Sequence, residues 1–154
     1  MGNIGNSSKH ATFEDIQCLF TDLYVHSTTY QTQHYSTKNK YNINKEKYYL
    51  INTLPNNQQN ILIWNTLNHI DEEITINSAL NNNDNIHIYI YGKNHLDNCV
   101  EKKYNQLKTL GFRHVYIYKG GLFEWLCLQD IYGFESFPTT TKELDILKFK
   151  PLKI

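Results

Sequence analysis

The chain offers three thiols (Cys18, Cys99 and Cys127), seven histidines and one arginine, Arg113, for chemistry. Cys99 is the most suggestively placed. It follows the polar segment Gly92-Lys93-Asn94-His95-Leu96-Asp97-Asn98 and falls in the first turn of a helix expected from Asn98 to Leu110. Aligned peptide dipoles at a helix start favour a thiolate, and Lys93 and His95 stand nearby in sequence as cations, so Cys99 has the makings of a nucleophile. His95 also suits acid–base work near neutrality. A plainer reading covers the same residues: Cys99 as a half-buried helix residue touching a sheet, and His95 as an exposed side chain on a polar loop.

The remaining residues point away from metal and disulfide chemistry. The three cysteines are far apart and form no C-x-x-C, which argues against a disulfide framework and a structural zinc site. The histidines lack the paired spacing of a metal site, and His87 is expected to pack within a sheet. No metal and no cofactor are expected.

The elements that must position Cys99 follow from periodicity. Tyr48 to Leu54 is an apolar run closed by Pro55-Asn56-Asn57, a strand and a turn, and Ile61-Leu62-Ile63-Trp64 is a second strand-like run. Asp71-Glu72-Glu73 opens a helix through Leu80 that Asn81 to Asp84 ends. Ile86 to Tyr91 alternates Ile with His and Tyr and is stopped by Gly92. The helix from Asn98 ends at Gly111, as a C-cap glycine would end it. His114 to Tyr118 is a further strand, and Gly120-Gly121 leads into a helix that carries Trp125. Trp64 and Trp125 are expected in or near the core. Near the start, Thr12 is placed to cap a helix whose Phe13, Ile16, Phe20 and Leu23 share one face. Residues 26–45 are polar and without period. Strands alternating with helices predict an α/β domain with three layers, a mainly parallel central sheet of about five strands and helices on both faces.

Composition narrows the class. The 154 residues carry 15 basic and 15 acidic side chains, so no net positive field attracts phosphates, and a nucleic-acid partner is not expected. About one residue in eight is Asn and 12 are Tyr, a bias that fits AT-rich coding. At this length one domain is expected, 12–154, after a flexible segment 1–11. No stretch approaches the ~20 apolar residues of a membrane span, and no signal peptide is recognisable, so a reducing, cytoplasmic setting is expected. Met1-Gly2-Asn3-Ile4-Gly5-Asn6-Ser7 resembles an N-myristoylation signal, with Asn6 where the strict pattern asks for Ser or Thr. Acylation of Gly2 would give weak, reversible peripheral membrane contact.

The stretch Ile88-Tyr89-Ile90-Tyr91-Gly92, a helix, Gly111-Phe112, Val115-Tyr116-Ile117-Tyr118 and Gly120-Gly121-Leu122-Phe123-Glu124-Trp125 resembles the rhodanese-like domains in order and spacing. The resemblance spans roughly residues 47–140. It implies a cysteine at the end of the central strand, in a loop whose inward amides and following helix hold a thiolate, a persulfide or an oxyanion. By position that cysteine falls on Gly92. The loop Gly92 to Asn98 contains no Cys and no Arg, is longer than usual, and carries Asp97 where an anion would sit. The resemblance therefore implies a rhodanese-like module without its nucleophile, binding a protein partner or a small anion at that loop. The alternative is a thiosulfate sulfurtransferase or persulfide carrier that uses Cys99 as a displaced nucleophile.

Overall fold

In the computed structural model, residues 8–20, 47–82 and 85–153 are described. Gly2, Leu23 and the polar segment 26–45 lie outside them. Four strands, β1 (His10–Ala11), β2 (Tyr48–Asn52), β3 (His87–Tyr91) and β4 (His114–Tyr118), form one parallel sheet in the order β1-β4-β3-β2. Among the described residues four α-helices accompany it: α1 (Phe13–Cys18), α2 (Glu72–Asn81), α3 (Asn98–Leu110) and α4 (Gly121–Tyr132). Parallel neighbours need long crossovers, and α2 and α3 supply them between β2, β3 and β4.

The strand register explains the packing. Tyr49, Ile88 and Val115 lie in one row, and Ile51, Ile90 and Ile117 two residues on lie in another. Side chains two apart point the same way. These rows face Ile76 and Ala79 of α2 and Val100, Tyr104 and Leu107 of α3. The alternate positions, Leu50, Tyr91 and Tyr118, pack instead with Ile16 of α1, with Phe20, and with Leu122, Trp125 and Leu126 of α4. Strands apolar on both sides are what a parallel sheet requires. Trp125 is fully buried, meets Phe137 edge-on at 5.0 Å between centroids, and donates its Nε1–H to the Pro138 carbonyl at 3.1 Å.

Local signals set the helix ends. Thr12 and Asp15 form a capping box on α1: Thr12 Oγ1 accepts from the Asp15 amide, and Asp15 Oδ2 accepts from the Thr12 amide at 2.7 Å. Gly111, at φ +108°, closes α3 in the left-handed conformation that glycine tolerates best.

Three expectations are corrected. The described sheet has four strands, not about five, because Ile61-Leu62-Ile63-Trp64 does not extend as one. Ile63 makes a single antiparallel bridge to Thr139, and Asn65 then turns the chain at φ +63°. Trp64, expected in or near the core, is 48% exposed beside that turn, while Ile61, Leu62 and Ile63 are buried. His10 and Ala11, placed in the flexible start, pair with Ile117 and Tyr118, a strand too short to show a period.

Tyr91 ties the irregular segment to the sheet. Its hydroxyl accepts the Ile63 amide at 3.1 Å and meets Thr66 Oγ1 at 2.8 Å, with no solvent exposure. Burial holds this phenol well above the usual tyrosine range, and the Thr66 and Ile63 contacts offset only part of that. Burial, reinforced by the Glu124 carboxylate, does the same for Tyr118. Tyr91→Phe should lower stability by about 1–3 kcal/mol in urea denaturation, because the Ile63 N–H loses its acceptor. Both tyrosines are neutral in either state below about pH 10, where unfolded tyrosine begins to ionise. Above that the unfolded chain releases protons that the folded chain retains, so stability should fall by about 1.4 kcal/mol per pH unit for each buried tyrosine. Urea midpoints measured from pH 9 to 11 should show this slope, reduced in Tyr91→Phe.

Candidate functional site

The turn after β3 is built around a carboxylate. Asp97 caps α3, and its Oδ1 accepts the Cys99 amide at 2.9 Å. Its Oδ2 accepts Thr53 Oγ1–H, from just beyond β2, at 3.0 Å and the Lys93 amide at 3.2 Å. Two amides that would face an anion in such a loop thus converge on the chain's own carboxylate. Two more are spent locally: Leu96 N–H on Asn94 Oδ1 at 3.0 Å, and Asp97 N–H on the Asn94 carbonyl at 3.1 Å.

Gly92 has no room for a side chain. A Cβ built there would overlap Asp97 Oδ2 and stand 2.7 Å from Val100 Cγ2. The loop's outer edge is fixed as well. The Gly92 and Lys93 carbonyls accept the Leu122 and Phe123 amides of α4, each at 2.9 Å. Gly121 permits that approach, since it sits at φ +67° and its Cβ would come within 2.6 Å of the Gly92 oxygen. Buried Asn94 donates Nδ2–H to the Phe149 carbonyl at 2.9 Å, which ties the loop to the helical turn Ile146–Phe149.

The loop residues are therefore not equivalent. Asn94 is buried, Lys93 and Asp97 are half-buried, and His95, Leu96, Asn98 and Cys99 are exposed. The structure does not gather Cys99 with Lys93 and His95. His95 opens with Lys119 on a recess of about 20 Å³, room for about one water molecule. Cys99 lines a different cleft, of about 350 Å³, together with Lys102, Lys103 and Gln106 of the same helix. The helix separates them: Val100 and Glu101 line the recess beside the loop, while Cys99, Lys102, Lys103 and Gln106 line the cleft.

That cleft lies outside the carboxyl end of β2, where open α/β sheets commonly place ligands. Asn52, Thr53 and Leu54 form one wall, and His69 and Glu72 another. Lys103 Nζ meets Glu72 Oε1 at 2.8 Å, joining α3 to α2. Asn52 and Gln59 exchange two amide hydrogen bonds, at 2.8 and 3.0 Å. Thr53, Glu72, Lys102 and Lys103 were not singled out from sequence. The spacing of residues 99, 102, 103 and 106 does mark one helix face, yet it reads equally as a solvated stripe.

The other expected residues fall as follows. Cys18 is exposed at the end of α1. Cys127 is half-buried, and burial together with the Asp130 and Glu124 carboxylates pushes its thiol pKa up, against nucleophilic use. His87 lies in the sheet and stacks on His114 at 4.4 Å between ring centroids. Arg113 lies outside the loop, where its carbonyl accepts from Lys108 Nζ at 3.2 Å. Among the described residues no group of three or more His, Cys, Asp or Glu could hold a metal ion, and no helix is long and apolar enough to cross a membrane. No protein-family model matches the chain, and no curated protein matches it.

Gly92→Cys should destabilise the fold by about 1–3 kcal/mol through overlap with Asp97 and Val100. Asp97→Ala should cost about 0.5–2 kcal/mol as a lost cap. In the double variant the overlap with the carboxylate is gone, so the combined loss should fall short of the sum by at least ~0.5 kcal/mol in a denaturation cycle. Additive losses would show that Asp97 does not fill the place of a side chain at position 92.

Proposed function

We propose that this chain is a three-layer rhodanese-like domain that binds a partner and does not transfer sulfur. The observation that carries the reading is the Asp97 carboxylate, held by Thr53, the Lys93 amide and the Cys99 amide against Gly92. A loop built in this way presents a negative group where a sulfur-transferring or oxyanion-binding loop needs amides or a thiolate. Its outer surface, with His95 and the 48% exposed Leu96, is what a protein partner would meet. A small anion at the loop interior is the weaker form of the partner proposal, since it would have to displace Asp97. Weak, reversible membrane contact through an acylated Gly2 belongs to the same proposal.

A second reading has its own observation. Cys99 is exposed and shares a helix face with Lys102 and Lys103, a setting in which a thiolate or a persulfide is accommodated electrostatically. It would make the chain a persulfide carrier working from the cleft and not from the loop.

One set of measurements separates the two. The full chain should show no thiosulfate:cyanide sulfurtransfer above buffer, and Cys99→Ala should change nothing. After thiosulfate treatment, intact-mass and peptide mass spectrometry should find no added sulfur on Cys99. Turnover that disappears in Cys99→Ala, together with a 32 Da adduct on that peptide (the mass of one sulfur atom, ~32 Da), would replace the binding-module reading with the carrier.

A further inference from the structure

We infer that the cleft between the end of β2 and α3 is a binding site for a small organic anion with a phosphate or carboxylate head group. The site is separate from the loop interior on which the binding-module reading rests, and its test can fail while that reading stands.

Two walls of the cleft are held by side-chain contacts. The Asn52–Gln59 amide pair is braced further, since Asn52 Oδ1 also accepts the Leu54 amide at 3.0 Å and Gln59 Nε2 also donates to the Leu54 carbonyl at 2.9 Å. Asn52 itself is 4% exposed. On the opposite side the Lys103–Glu72 ion pair crosses from α3 to α2, with the Glu72 side chain only 14% exposed. Removing a carboxylate from water carries a desolvation cost that the pairing must offset, so this wall is held and not merely solvated.

Next comes what is left over. The side chains of Lys102, His69, Gln106 and Asn56 line the same space and make no hydrogen bond or ion pair among the described residues. With Glu72 matched to Lys103, the charge of Lys102 is left uncompensated among the described residues of the cleft. A space with two braced walls that presents one ammonium and two carboxamides without a partner among the described residues suits an anionic head group with hydrogen-bonding neighbours. At about 350 Å³ it is near the lower end of the ~300–1,000 Å³ range of small-molecule pockets. Cys99, on the rim, serves as a reporter.

The test uses the ¹⁵N-labelled full chain, titrated separately with inorganic phosphate and with acetate at constant ionic strength, chloride serving as the control. Saturable amide shifts at Thr53, Cys99, Lys102 and Gln106 are expected with at least one of the two anions, and the stronger anion names the head group. Lys102→Gln should weaken that binding by about tenfold, while Lys119→Gln, outside the cleft, should not. The same anion should slow alkylation of Cys99 by iodoacetamide and leave Cys127 unaffected, as read peptide by peptide. Absence of saturable shifts with both anions would overturn the site. So would shifts confined to residues 92–97, or cleft shifts that Lys102→Gln leaves unchanged.

Discussion

The Asp97 carboxylate is the constraint on which the upper edge of this fold depends. It caps α3, ties the end of β2 to the turn after β3 through Thr53, and takes the amides of Lys93 and Cys99. A helix start needs acceptors for its free N–H groups, and a carboxylate there is also favoured by the macrodipole. Here the cap and the loop filling are one group. The consequence at position 92 is steric: once the carboxylate is seated, only glycine fits. The consequence for Cys99 is directional, since its amide turns inward to Asp97 while its side chain lines the cleft beyond.

The sheet makes that arrangement possible by aligning three strand ends. Asn52, Tyr91 and Tyr118 share one row at the carboxyl ends of β2, β3 and β4, and each is put to a different use. Asn52 braces one wall of the cleft, Tyr91 anchors the Ile63–Thr66 segment, and Tyr118 donates to Glu124 of α4 at 2.9 Å. Polar groups at this row can remain buried because each has a partner, as burial demands. On the α2 and α3 side the deeper positions are isoleucine and valine with Tyr49, and a one-residue slip would bring His87, Tyr89, His114 and Tyr116 onto that face, so the register at this edge is fixed.

Much of this was legible in the residues. The three long strands, the helices at Glu72 and Asn98, the Gly111 cap and the Thr12 start all follow from period and capping chemistry, and each appears within a residue or two of its expected bounds. What was not legible depends on contacts distant in sequence. Ile61 to Trp64 reads as a strand because four bulky apolar residues favour one, yet Asn65 and the Pro138 carbonyl, which accepts the Trp64 amide at 3.0 Å, bend it into a bridge. His10–Ala11 gains strand character only because β4 offers an open edge. The cleft is harder still. Residues 99, 102, 103 and 106 sit on one helix face in any reading, but only the fold sets Asn52 and Glu72 opposite them.

The seated Asp97 carboxylate also decides where an anion can be accommodated. A carboxylate tethered beside a set of amides competes with any free anion at the effective concentration of an intramolecular group, which is millimolar or higher when the tether suits the span. Asp97 is four residues from Lys93 and two from Cys99, and it caps the helix as well, so it leaves its place only if the start of α3 frays. A free phosphate or thiosulfate would have to offset both losses and then stand where a negative group already fits. The neutral net charge of the chain gives no long-range field to help it. The cleft has the opposite balance: its carboxylate, Glu72, is already matched by Lys103, and Lys102 is uncompensated among the described residues. Two neighbouring places at the same end of the sheet thus differ in sign. The loop after β3 carries its own anion in Asp97, and the space behind Cys99 is the one that calls for another.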